Sequence, residues 1–121
     1  MSNIESASAK EDQPRQGAQV EILTRLDLGA DIPALAGKEL RLQLTTYMPG
    51  AKNQPHSHEG KPETVYAVAG EITEYHRDGR VMTHGPGDTF TANKDTFHHM
   101  ANNGDVPAQM IVAMIVDKPR D

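Results

Sequence analysis

The segment GAKNQPHSHEGKPE, residues 50–63, decides how this chain is read. His56 and His58 are two residues apart, and in an extended strand residues i and i+2 project to the same face. Two imidazoles therefore enter one space. Glu63 follows a short loop with Gly60 and Pro62 that can turn the chain back, so its carboxylate can approach the same point. Imidazole suits zinc, copper, iron and nickel, and a carboxylate adds hard oxygen and negative charge. A further ligand has to come from elsewhere in the chain, and His98 and His99 are the candidates. A His-x-His pair alone is ordinarily two solvated histidines, so the weight falls on what surrounds it.

Outward from this segment the pattern is that of strands. Leu40, Leu42 and Leu44 alternate with Arg41, Gln43 and Thr45, the period of two of a half-buried strand. Val20–Leu26 alternates loosely, and Thr64–Val68 reads as a strand ended by Gly70. Glu71–His76 and Val81–His84 flank Asp78-Gly79, a hairpin signal, because a tight primed turn needs positive φ. Asp88–Ala92 follows a Gly-Pro-Gly turn. Met110–Val116 is continuously apolar, which predicts a strand covered on both faces. No amphipathic helix and no internal repeat is evident. Strands at this spacing predict an all-β sandwich or barrel. Residues 1–18 are polar and aperiodic and read as a flexible N-terminal tail, which leaves residues 19–121 as one domain.

The arrangement closely resembles the cupin superfamily. Its first motif is a glycine, five residues, His-x-His, three or four residues, Glu, six residues and a glycine, and Gly50, His56, His58, Glu63 and Gly70 fall on it without a gap. In the second motif Gly87, His98 and Asn102 occupy their places, while Asn93 and Asp95 stand where the family has Pro and Gly. Both replacements are turn formers, so the same bend is expected. The similarity runs from about residue 38 to 116. It implies a double-stranded β-helix, the RmlC-like jelly-roll barrel, with a divalent transition metal (Fe, Mn, Ni, Cu or Zn) held by His56, His58, Glu63 and His98. Motif spacing favours His98 over His99. The resemblance also implies a homodimer. The alternation around Glu63 agrees, since Val65 and Ala67 share its face while Tyr66 and Val68 need a cover on the other, which a partner subunit or the second sheet could supply.

The remaining candidates have plainer readings. His76 and His84 are expected to pair across their hairpin or meet solvent, and Glu59 to face out, with a bond to a ligating imidazole as the alternative. Tyr47, Tyr66, Phe97 and the methionines Met48, Met82, Met100, Met110 and Met114 are expected to pack, with Phe97 and Met100 as possible pocket walls. Asn102 is expected to tie down a turn.

Composition removes several function classes. The 121 residues carry a net charge of −5, and the bases form no cluster, which disfavours nucleic acid as a partner. There is no cysteine, hence no disulfide and no thiolate chemistry. No apolar run is long enough to span a bilayer and no signal peptide is evident, so the expected setting is soluble and cytoplasmic with no membrane partner. The expected partner is a small molecule. Resemblance to cupin dioxygenases implies a metal-dependent, dioxygenase-like enzyme. A redox-neutral Lewis-acid isomerase or lyase and a non-catalytic binding module are the alternatives.

Overall fold

A computed structural model of the protein describes residues 18–119. The tail expected over residues 1–18 lies outside the described residues, except for Ala18, which opens the first strand. Nine strands follow the alternation in the sequence: β1 (Ala18–Asp27), β2 (Lys38–Tyr47), β3 (His56–Ser57), β4 (Glu63–Ala69), β5 (Ile72–His76), β6 (Val81–His84), β7 (Thr89–Ala92), β8 (Phe97–Ala101) and β9 (Ala108–Asp117). They form a five-stranded sheet in the order β1-β2-β9-β4-β7 and a four-stranded sheet in the order β3-β8-β5-β6. All the pairings are antiparallel. This is the jelly-roll barrel expected. The helical content among the described residues is one 3-10 turn at Pro33–Leu35.

The core lies between the sheets. Val65, Ile72, Met100, Met110 and Val112 are its buried apolar side chains, with Tyr47 and Ala108 beside them. The alternation of β2 falls the unexpected way round. Gln43 and Thr45 are each 7% exposed and face inward, whereas Leu40 is 38% exposed and points out. Similarly, β9 is covered on one face only. Met110 and Val112 are buried, while Ile111, Ala113 and Ile115 on the other face are half-buried. The reason is layering: hydrogen bonds to β2 and β4 seal both edges of β9, but the described residues supply no second layer outside it. Tyr66, at 50% exposed, likewise faces out rather than packing, as do Met48 and Met82.

Two turns show how local sequence sets the frame. In the β5–β6 hairpin, His76 N donates to Arg80 O, and Gly79 has φ +98°. No other residue of that loop has positive φ, so the turn is the wider three-residue kind rather than a two-residue primed turn. Gly70 ends β4 at φ +69°, and a Cβ there would collide with the carbonyl of Pro107. That position therefore requires glycine twice over, for its backbone angle and for its closeness to β9.

Candidate metal centre

The site is built mostly on the four-stranded sheet. Register places His56 of β3 directly opposite His98 of β8, and His98 opposite His76 of β5. His58 follows β3, where its backbone N–H donates to Thr96 O at 3.1 Å. The three rings of His56, His58 and His98 stand at the corners of a nearly equilateral triangle, with centroids 4.9, 4.8 and 4.9 Å apart. One ligand atom from each lies within 4.8 Å of the others.

Each ring is oriented by its own hydrogen bond. His56 Nδ1 donates to Gln54 O at 2.7 Å, and His58 Nδ1 to Lys61 O at 2.9 Å. His98 Nδ1 lies 2.7 Å from Glu74 Oε2. A carbonyl or ionised carboxylate oxygen only accepts, so Nδ1 carries the hydrogen in all three rings and Nε2 is left as the inward atom. The Nε2 atoms of His56 and His58 consequently meet at 3.1 Å. Burial pushes His56 down to about 4 against the opposing pull of its bond to Gln54, and it lowers His58 in the same way. Both rings are therefore neutral near pH 7 and present bare lone pairs to one another. Converging neutral imidazole nitrogens with Nδ1 tied back are the donor set a divalent transition metal takes, so these residues fit one.

Glu63 is on the five-stranded sheet, at the start of β4. Its Oε2 is 3.5 Å from His58 Nε2, and it stands outside the triangle of mutually close atoms. Burial raises its carboxyl to about 7, with Glu74 adding to the effect and His98 opposing it. His99 stays on the outer face, stacked on Tyr75 at 4.8 Å. Glu59 is exposed.

Glu74 is the residue that sequence reasoning missed. It is 1% exposed, accepts from His98 at 2.7 Å and from His84 at 2.8 Å, and has His76 Nε2 at ion-pair distance, 3.0 Å. Burial works to raise its carboxyl, but the bonds from His98 and His84, with the charge of His76, outweigh it and bring it down to about 2. His76 and His84 thus converge on Glu74 instead of pairing across the hairpin. The signal was available in Ile72-Thr-Glu74-Tyr-His76, where alternation puts Glu74 on the face of Ile72 and His76. Asn102 ties down its turn as expected, donating to Tyr47 O and Val106 O and accepting from Gly104 N.

The imidazoles and Glu63 border a cavity of about 180 Å³ inside the barrel. Its other walls include Gln43, Thr45, Val65, Met100, Met110 and Val112. Met100 is a wall as expected. Phe97 instead faces the exterior beneath the Arg77 guanidinium.

With this geometry in hand, the chain belongs to the cupin family: the model described as "Cupin domain" matches residues 43–114. A germin-like protein (subfamily 2 member 1) of Arabidopsis thaliana is 33% identical over 86 residues, which is 68% of this chain and 39% of that protein. The chain thus spans well under half the length of that relative. Among solved structures, a Thermotoga maritima protein described as a predicted oxalate decarboxylase superposes with TM-score 0.65 at 20% identity, covering 82% of this chain and 80% of that one. The polyketide cyclase RemF of Streptomyces resistomycificus gives 0.67 at 18% identity, over 88% and 72%. Identities this low show the fold alone. No helix among the described residues is long and apolar enough to cross a membrane.

Proposed function

We propose that this protein is a metal-dependent enzyme acting on a small oxygenated organic molecule, with one divalent transition metal held by His56, His58, Glu63 and His98. One observation carries the reading: all three imidazoles spend their Nδ1 hydrogens on oxygen acceptors and turn Nε2 toward a common point. A divalent ion there would supply Lewis acidity and, as iron, manganese, nickel or copper, a redox change suited to oxygenase-type chemistry. The chain's own part is to orient. Gln54 and Lys61 hold two rings through backbone carbonyls, and Glu74 holds the third from the centre of its sheet. The cavity sets substrate size, since about 150 Å³ accepts benzene. A single ring or a short chain fits.

A redox-neutral reading uses the same ligand set: the ion would act as a Lewis acid that polarises a carbonyl for isomerisation or elimination. Fold analogy does not choose between these, because one fold hosts many chemistries.

Elemental analysis tests the metal set. About one transition-metal ion per chain is expected, with most of it lost in His98→Ala; full retention in that variant overturns the assignment. Oxygen uptake by the iron- or copper-loaded protein with small phenols or diketones supports the oxygenase form, whereas anaerobic turnover supports the redox-neutral one.

A homodimer is part of the same proposal. Leu40 and Ile115 lie opposite each other, as do Tyr66 and Ile111, which makes the outer face of the five-stranded sheet a continuous apolar strip. A second copy is the cover that this strip fits. Sedimentation should give twice the chain mass for the native protein and the monomer mass for Tyr66→Arg; a monomeric native protein refutes the dimer.

A further inference from the structure

Two polar side chains facing the imidazoles are used neither by the frame nor by the metal set. Gln43 and Thr45 stand on the inward face of β2, each 7% exposed, and line the same cavity as His56, His58, Glu63 and His98. They bond each other, Gln43 Nε2 donating to Thr45 Oγ1 at 3.1 Å. That bond uses one amide hydrogen and one hydroxyl lone pair. Among the described residues no side-chain bond reaches the Gln43 carbonyl oxygen, its second amide hydrogen or the Thr45 hydroxyl hydrogen. Reversing the amide changes which atoms remain, but donor and acceptor capacity remain either way. Buried polar groups are nearly always paired, so leftover capacity on a cavity wall points to a ligand. The neighbouring Asn53 is already committed, donating to Tyr47 Oη at 2.9 Å and accepting from Met100 N at 2.8 Å.

Size and charge narrow the ligand. The cavity of about 180 Å³ admits little more than one ring, and Val65, Met110 and Val112 give it apolar sides. Among the described residues lining it there is no lysine or arginine. Glu63 at the site and Glu74 behind His98 set two carboxylates against a divalent ion, and His76 lies beyond Glu74, outside the cavity lining. An anionic ligand would therefore add a charge with no partner in a desolvated space.

We propose that Gln43 and Thr45 are specificity-determining residues that bind a carbonyl or hydroxyl oxygen of a small uncharged ligand, whose second oxygen function faces His56, His58 and His98. The inference rests on the metal reading for that second end and on Gln43 and Thr45 for the first. Hydroxyketones, diketones and dihydroxybenzenes have the required chemistry, and carboxylates do not.

The test uses the full chain loaded with Co(II), whose visible spectrum reports ligand arrival without turnover. The probes are hydroxyacetone and pyruvate, alike in size but neutral and anionic. Hydroxyacetone should perturb the spectrum, and Gln43→Leu or Thr45→Val should each raise its half-saturating concentration about three- to tenfold, the worth of one neutral hydrogen bond, with cobalt content unchanged. Pyruvate should bind more weakly and respond to neither substitution. Thr45→Val, close to isosteric, decides the matter if Gln43→Leu fails to fold. Unchanged hydroxyacetone binding in the folded variants, or tighter binding of pyruvate, overturns the proposal. Failure to take up cobalt counts against the metal assignment alone. The side-chain amide NMR signal of Gln43 in metal-free protein then decides: a shift with hydroxyacetone and not with pyruvate supports the proposal, and an unmoved signal overturns it.

Discussion

The two sheets of this barrel divide the work unequally. The four-stranded sheet carries His56, His76, His84, His98 and Glu74, nearly all of the ionisable chemistry, on strands of two to five residues. The five-stranded sheet has three strands of ten residues, β1, β2 and β9, and supplies most of the apolar packing, with Gln43, Thr45 and Glu63 set into it. Short strands suffice on the first because a buried carboxylate fixes its side chains from the centre. Long strands are needed on the second, where hydrophobic area and continuous ladders provide the stability. The difference teaches that the placement of the ionisable groups and the stability of the fold are drawn here from separate walls.

That division can be broken or sharpened by measuring metal affinity against fold stability. The largest effect belongs to Glu74→Gln. An amide presents one acceptor oxygen and one donor nitrogen where His84 and His98 now each find a carboxylate oxygen, so His98 loses its fixed orientation. Removal of such partners typically lowers metal affinity about 10- to 100-fold. A chelator-competition titration checks this, and unchanged affinity would show that His98 does not depend on Glu74. The next effect is that of pH. The Glu63 carboxyl is raised to about 7 in the folded protein from an ordinary 4.5. Its protonated form is thus favoured below about 7, and a ligating carboxylate must give that proton up. Metal affinity should rise about tenfold per pH unit from 5 to 7 and level off above. His56, pushed down to about 4, does not compete in that window. A steeper slope, measured by titration at fixed ionic strength, would mean that imidazoles release protons there too. The smallest effect on metal is that of Val116→Ala, buried in the opposite wall and outside the cavity lining. Loss of two buried methyl groups should cost about 2 kcal/mol of stability in denaturant unfolding, while metal affinity stays within about twofold, since additivity holds for sites without shared partners. Coupled losses would show that the walls are not independent.

The fold was legible because alternation and turn residues are local. Leu40-Leu42-Leu44 and the Asp78-Gly79 turn each declare a strand or hairpin within a few positions. Three imidazoles of the site were legible because motif spacing implied that His98 would join His56 and His58, and the β3–β8 register brings them together. For Glu74 only the face was legible, from its alternation with Ile72 and His76; its partners His84 and His98 lie 10 and 24 residues away and no short pattern links them. The facing of β2 was also hidden: period two fixes which residues share a face, and it leaves open which face is the interior. Leucines ordinarily settle that choice. Here the interior holds a cavity, and Gln43 and Thr45 line it.

Because β2 is held along both edges, by β1 over Ala18–Asp27 and by β9 over its full ten residues, backbone bonds rather than inward side chains keep it in place. The identities at positions 43 and 45 are then separable from the architecture, like interchangeable tumblers in a lock whose casing stays the same. On the proposed reading of Gln43 and Thr45, diversification of that pair is a route to altered ligand choice with little disturbance of the barrel.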